Sequence, residues 1–131
     1  MDVIEVASQR RRQLVDVTSF VQEAVAAAGV AEGLCQVAVP HTTAAVLLNE
    51  NADPAVGEDI LAALEATLPA VRWRHDEGNS DAHFLSTLVG HAVTIPITEG
   101  ELALGRWQAV YLLELDGPRK RELWITCLGS E

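Results

Sequence analysis

At 131 residues, with 49% of side chains apolar and 21% charged, the chain has the size and polarity of one globular domain that buries a core without disulfide or metal support. Nineteen acidic against nine basic side chains give a formal net charge of -10, which repels nucleic acid and anionic membranes and excludes a general affinity for either. No apolar run approaches the roughly 20 residues of a membrane span, and Met1–Glu5 lacks the basic start and apolar core of a secretion signal, so a soluble cytoplasmic protein is expected.

Val3–Val6 and Gln13–Val17 alternate enough to predict two strands, joined across Ser8-Gln9-Arg10-Arg11-Arg12. The three arginines read as a hairpin tip or as an edge protected by positive charge. Asp16 or Thr18 is placed to cap the next element. Phe20, Val21, Ala24, Val25 and Ala28 then recur at helical spacing, and Gly29 supplies the stop. Gly33–Pro40 is a strand that ends at proline, and Ala44–Leu48 is a continuous apolar run expected to be covered on both faces. Asp53-Pro54 has the form of an N-cap followed by proline at the first helical position. The helix it starts puts Val56, Ile60, Leu61, Leu64 and Leu68 on one face and ends at Pro69. Ala82–Val89 is a short helix capped by Asp81 and stopped by Gly90. Strands follow at Val93–Ile97, Leu102–Leu104, Gln108–Leu115 and Glu122–Leu128, the last after a turn at Asp116-Gly117-Pro118-Arg119. This order predicts one α+β domain over residues 1–131, with a mostly antiparallel sheet and helices packed on one side. Cys35 and Cys127, far apart and without a CxxC pattern, read as small buried hydrophobes in a reducing compartment.

The chemistry concentrates in Arg74-His75-Asp76-Glu77-Gly78-Asn79-Ser80-Asp81-Ala82-His83, where two histidines enclose three carboxylates around a Gly-Asn turn. Imidazole with carboxylate is a ligand set for zinc, manganese or iron, and also an acid–base set at neutral pH. A solvated acidic loop is the bland alternative. His41, after Pro40 at the end of a buried strand, adds a third imidazole, and three imidazoles with one open position make a catalytic zinc-type site. Glu77 or Asp81 is placed to ligate, to orient a ligand histidine or to act as base. Against this, His41 also reads as a capped strand-end histidine bonded to a neighbouring carbonyl. In Gly105-Arg106-Trp107-Gln108 a ring-stacking surface competes with simple packing of Trp107. Arg119-Lys120-Arg121 is either a phosphate clamp or a solvated hairpin tip.

Taken together and in this order, His41-Thr42-Thr43-Ala44, Asn49-Glu50-Asn51, the run from His75 to His83, Leu104-Gly105-Arg106-Trp107-Gln108 and Asp116-Gly117-Pro118-Arg119 resemble the YjbQ-like family, described as secondary thiamine-phosphate synthase enzymes. The resemblance implies a barrel-like distorted sheet, a homotrimer, and a pocket near the subunit boundary. It implies His41, His75 and His83 as metal ligands or catalytic imidazoles, with Glu77, Asn79 and Asp81 supporting them and Gly105, Trp107, Gln108 and Arg119 lining or bracing the pocket. The expected activity is a metal-dependent, thiamine-phosphate synthase-like transfer on a small phosphorylated substrate, with zinc or manganese suiting imidazole better than magnesium. A metal-dependent hydrolase and a non-catalytic trimeric module that binds a phosphorylated metabolite are the alternatives.

Overall fold

The computed structural model describes residues 1–130. In chain order its elements are β1 (Asp2–Ala7), β2 (Gln13–Asp16), α1 (Thr18–Ala28), β3 (Gly33–Ala38), β4 (Ala44–Glu50), α2 (Pro54–Thr67), α3 (Ser80–Val89), β5 (Ala92–Thr98), β6 (Glu101–Leu102), β7 (Gln108–Glu114) and β8 (Lys120–Gly129). The strands form two sheets, β1-β8-β3-β5-β6 and β2-β7-β4, and every pairing is antiparallel. The α+β class with a mostly antiparallel sheet is therefore correct, and the larger sheet curls into a half-barrel. Among the described residues no helix is long and apolar enough to cross a membrane.

Period-two alternation decides which side chains enter the core. On β3, Cys35 and Val37 are buried while Leu34 and Gln36 face out. The main core lies between the sheets and is completed by Val21, Ala24 and Val25 of α1, which stops at Gly29 in a left-handed conformation (φ 68°). The smaller sheet is covered twice. Ala44 and Val46 of β4 join the main core, whereas Ala45 joins a second cluster with Leu113, Leu115, and Ala82 and Leu85 of α3, against which Leu61, Leu64 and Leu68 also pack. The continuous apolar run of β4 is explained by this double burial. Asp53 caps α2 as expected, its Oδ1 accepting from the Ala55 N–H at 2.9 Å.

Three local expectations are corrected. β1 and β2 do not form a hairpin: β1 pairs with β8 and β2 with β7, so Ser8–Arg12 crosses from one sheet to the other. The crossing is held by the turn after β7, where the Ser8 N–H donates to the Arg119 carbonyl (2.9 Å) and the Gly117 N–H to the Arg11 carbonyl (3.0 Å). A Cβ on Gly117 would lie 2.4 Å from the Arg10 carbonyl oxygen, so the approach requires glycine. At α3, Asn79 rather than Asp81 occupies the N-cap, because Asp81 is turned to arginines. The strand expected at Leu102–Leu104 shortens to β6, since the Leu104 N–H already donates to the Leu102 carbonyl in a tight turn.

Candidate functional site

Two segments joined by neighbouring residues define the site. In the first, the His75 and His83 rings stand edge to face, with centroids 5.5 Å apart and planes at 88°. Ser80 Oγ lies 3.1 Å from His75 Nδ1, and Glu77 Oε1 lies 3.6 Å from His75 Nε2. In the second, Asn79 Nδ2 donates to Asp116 Oδ2 at 2.9 Å. The same carboxylate oxygen accepts from Arg119 Nη2 at 3.1 Å, and Arg119 Nε donates to the Asp116 carbonyl at 2.8 Å. Asn79 and Ser80, adjacent at the start of α3, thus tie the Asp116–Arg119 turn to the histidine pair. Asn79 Oδ1 is buried and has no hydrogen-bond partner among the described residues. A surface cavity of about 310 Å³ lies beside His75, lined also by Arg11, Trp73, Gly78, Ser80 and Asp81.

His41 is near this surface but serves differently. Ser86, one turn beyond His83 on α3, donates through Oγ to the Thr42 carbonyl at 2.7 Å, which places the His41 segment against α3. His41 Nε2 accepts from the Glu122 N–H at 2.8 Å, so the neutral ring keeps its proton on Nδ1. Burial, reinforced by the Arg121 and Arg119 charges, pushes this imidazole below its ordinary value of 6.5. Among the described residues no three His, Cys, Asp or Glu side chains stand close enough to share a metal ion. The three-imidazole set is therefore divided: His75 and His83 meet, while the His41 Nε2 lone pair is already used.

The carboxylates and arginines also redistribute. Asp81 is not free to act as base or ligand, since Arg12 pairs with it and Arg11 Nη2 reaches its Oδ2 at 3.0 Å. Arg12 further pairs with Glu65 of α2, so Arg11 and Arg12 tie α3 and α2 to the crossing segment. Arg119-Lys120-Arg121 does not form one clamp, because alternate residues of β8 face opposite ways. Lys120 is exposed beside Glu5. Arg121 is 3% exposed and donates through Nε to Glu114 Oε1 at 2.9 Å, Glu114 being fully buried. Arg121 Nη2 also donates to the Thr43 carbonyl (3.0 Å) and hydroxyl (2.9 Å). Glu114 accepts besides from Ser8 Oγ and from the Leu115 and Asp116 N–H groups. This buried pair anchors both Thr43, two residues from His41, and Asp116. Its signal was present in the sequence: Glu114 is a lone charge inside the apolar run Tyr111–Leu115, and Arg121 shares a strand face with Leu123 and Ile125.

Gly105, Trp107 and Gln108 stand elsewhere. Gln108 Oε1 accepts from the Gly105 N–H at 2.8 Å and the Gln108 N–H donates to the Gly105 carbonyl, closing a turn. Trp107 is 53% exposed, with the Arg106 guanidinium 4.7 Å above its ring. β7 carries Gln108 at one end, opposite Glu50, and Glu114 at the other, opposite Ala44. At about 3.3 Å per residue the strand separates the two turns by about 20 Å. Within this chain the Trp107 turn does not line the histidine site.

The family model for UPF0047 protein YjbQ-like matches residues 2–130. The chain is a member of the UPF0047 (YjbQ-like) family. It is 42% identical over 129 residues to the UPF0047 protein of Methanocaldococcus jannaschii, covering 97% of this chain and 93% of that one. It is 34% identical to YugU of Bacillus subtilis, with 98% and 99% coverage. Among solved UPF0047 structures, that from Clostridium acetobutylicum superposes with a TM-score of 0.94 at 40% identity, covering 98% of this chain and all of that one. The nearly complete mutual coverage means that the UPF0047 fold extends over the whole described chain, both candidate turns included.

Proposed function

We propose that this UPF0047 protein is a cytoplasmic enzyme that binds a small phosphorylated metabolite on the His75/His83/Arg119 face and promotes group transfer by imidazole acid–base chemistry, with thiamine-phosphate synthesis as the reaction implied by the family resemblance. The observation that carries this reading is the meeting of His75 and His83 at 5.5 Å beside the Asn79–Asp116–Arg119 chain. Imidazole changes charge nearest neutral pH, so one ring accepts a proton as the other donates one. The half-exposed Arg119, oriented by Asp116, has further N–H donors for phosphate oxygens. His41 contributes an Nδ1–H donor without charge. The test is formation of thiamine phosphate from a pyrimidine-methyl diphosphate and a thiazole phosphate. Wild type is expected to turn over, and His83→Ala to lose about 100-fold or more with unchanged circular dichroism and thermal midpoint. A His83→Ala protein as active as wild type overturns the assignment.

The proximity of His75 and His83 favours a second reading, a bound divalent metal, zinc or manganese in preference to magnesium. One protomer does not supply the set on its own, so a further ligand comes from a neighbouring subunit or from substrate. Elemental analysis of dialysed wild type and His83→Ala tests it: metal stoichiometric with chain in the first and lost in the second is the expected result for that reading. A homotrimer accommodates either version. The outward face of the larger sheet exposes Val3, Leu34, Trp124 and Leu128, an apolar band suited to another copy of the chain.

A further inference from the structure

We propose that Cys35 and Cys127 are a reversible dithiol–disulfide pair, a cross-strand modification site that closes by exchange with a low-molecular-weight disulfide. The two cysteines, 92 positions apart in the sequence, are direct register partners on β3 and β8. Directly opposed residues of an antiparallel pair point to the same face with Cα atoms about 4.5–5.5 Å apart, inside the window a disulfide spans. Both are free thiols, and they differ in access: Cys35 is fully buried and Cys127 only partly so. That difference sets the order of events. The Cys127 thiolate attacks one sulfur of a small disulfide such as oxidised glutathione, forming a mixed disulfide and releasing one glutathione thiolate. The Cys35 sulfur, after giving its proton to solvent, attacks Cys127 Sγ, forms the intramolecular bond and expels the second glutathione. Two protein thiols are oxidised and one external disulfide is reduced to two thiols. Burial and the facing Cys127 sulfur push the Cys35 thiol up to about 12, so closure accelerates as pH rises.

Cys35 already packs in the main core and Cys127 packs against it, so the bond joins two side chains that share one environment. It ties the C-terminal end of β8 to β3, far along the strand from the Arg121–Glu114 pair, and it is independent of the chemistry proposed for the histidine face.

The experiment treats the full-length native protein with oxidised glutathione, traps remaining thiols with N-ethylmaleimide in acid, and maps peptides by mass spectrometry. Two N-ethylmaleimide labels per chain before oxidation are expected to fall to none, with a linked Cys35–Cys127 peptide pair, no retained glutathione, and full recovery after dithiothreitol. Cys35→Ala is expected to hold one glutathione on Cys127, because the resolving thiol is gone. A stable glutathione adduct on Cys127 of the wild type with Cys35 still labelled shows that the sulfurs do not close and overturns the proposal. So does a Cys35→Ala protein that takes up no glutathione, or a wild type that retains both labels.

Discussion

Glu114 and Arg121 are the residues on which the site's geometry depends most directly. A carboxylate at 0% exposure survives only because Arg121, Ser8 and two backbone N–H groups meet it. Truncating one partner leaves the other charge buried and uncompensated, so Arg121→Ala is expected to cost about 3–5 kcal/mol in denaturant unfolding. A loss under about 1 kcal/mol contradicts the structure. Burial alone would raise the Glu114 carboxyl, but the hydrogen bonds from Arg121, Ser8 and the Asp116 N–H hold it below its ordinary value of 4.5. A carboxyl whose folded value is depressed stabilises fully above the unfolded value and loses that contribution as pH falls through the folded one. Wild type should therefore lose stability steeply below pH 4.5, and Glu114→Gln should lose less over the same interval. His41 obeys the same sign, since its folded value also lies low: by NMR it is expected to titrate below 6.5, with the proton on Nδ1 in the neutral ring. Titration above 6.5, or a neutral ring protonated at Nε2, means that the bond from the Glu122 N–H is absent.

At the scale of elements, the decisive connection is between the Ser8–Arg12 crossing and the start of α3. Asp81 and Arg12 are both largely buried, their side chains 16% and 14% exposed, so this pair is less screened than an ordinary surface bridge. Asp81→Ala is expected to cost about 1.5–3 kcal/mol and to raise hydrogen exchange in residues 76–84, while the strands of the larger sheet stay protected. Unchanged exchange there assigns the anchoring of α3 to apolar packing alone. This connection also marks what the sequence could and could not show. Gly29, Asp53-Pro54 and the alternation of β3 act through neighbours in the chain, so they were legible as a helix stop, a cap and a buried face. The double burial of β4 was legible because no polar residue interrupts Ala44–Leu48. That β1 joins β8 rather than β2 was not, because pairing partners more than a hundred residues apart leave no local periodicity. For the same reason the arginine triplet read as a charged tip, and Asp81 as a candidate base, until the fold brought them together. His75 and His83 were legible as a pair, since one turn separates them. The role of His41 was not, because a backbone N–H on a distant strand decides it.

For the whole molecule, the question is whether a chain carrying a net charge of -10 assembles with copies of itself as proposed. The band formed by Val3, Leu34, Trp124 and Leu128 runs across three adjacent strands, because Val3 opposes Trp124 and Leu34 opposes Leu128 in the register. Its burial is a hydrophobic contribution that depends little on moderate salt, whereas repulsion between like-charged chains is screened as ionic strength rises. The two contributions together give a definite sign. The homotrimer proposed above should tighten with added sodium chloride, where an assembly held by ion pairs would weaken. Sedimentation of the 14.1-kDa chain between low and physiological salt reads this directly. Trp124→Glu combined with Leu128→Glu is expected to give a folded monomer, since both side chains point away from the core and the substitutions disturb only the outer face. A trimer that persists in this double variant, or one that dissociates as salt is added, moves the interface off the larger sheet. In that case the end of the smaller sheet that carries Trp107 becomes the surface to test, with Trp107→Glu as the variant.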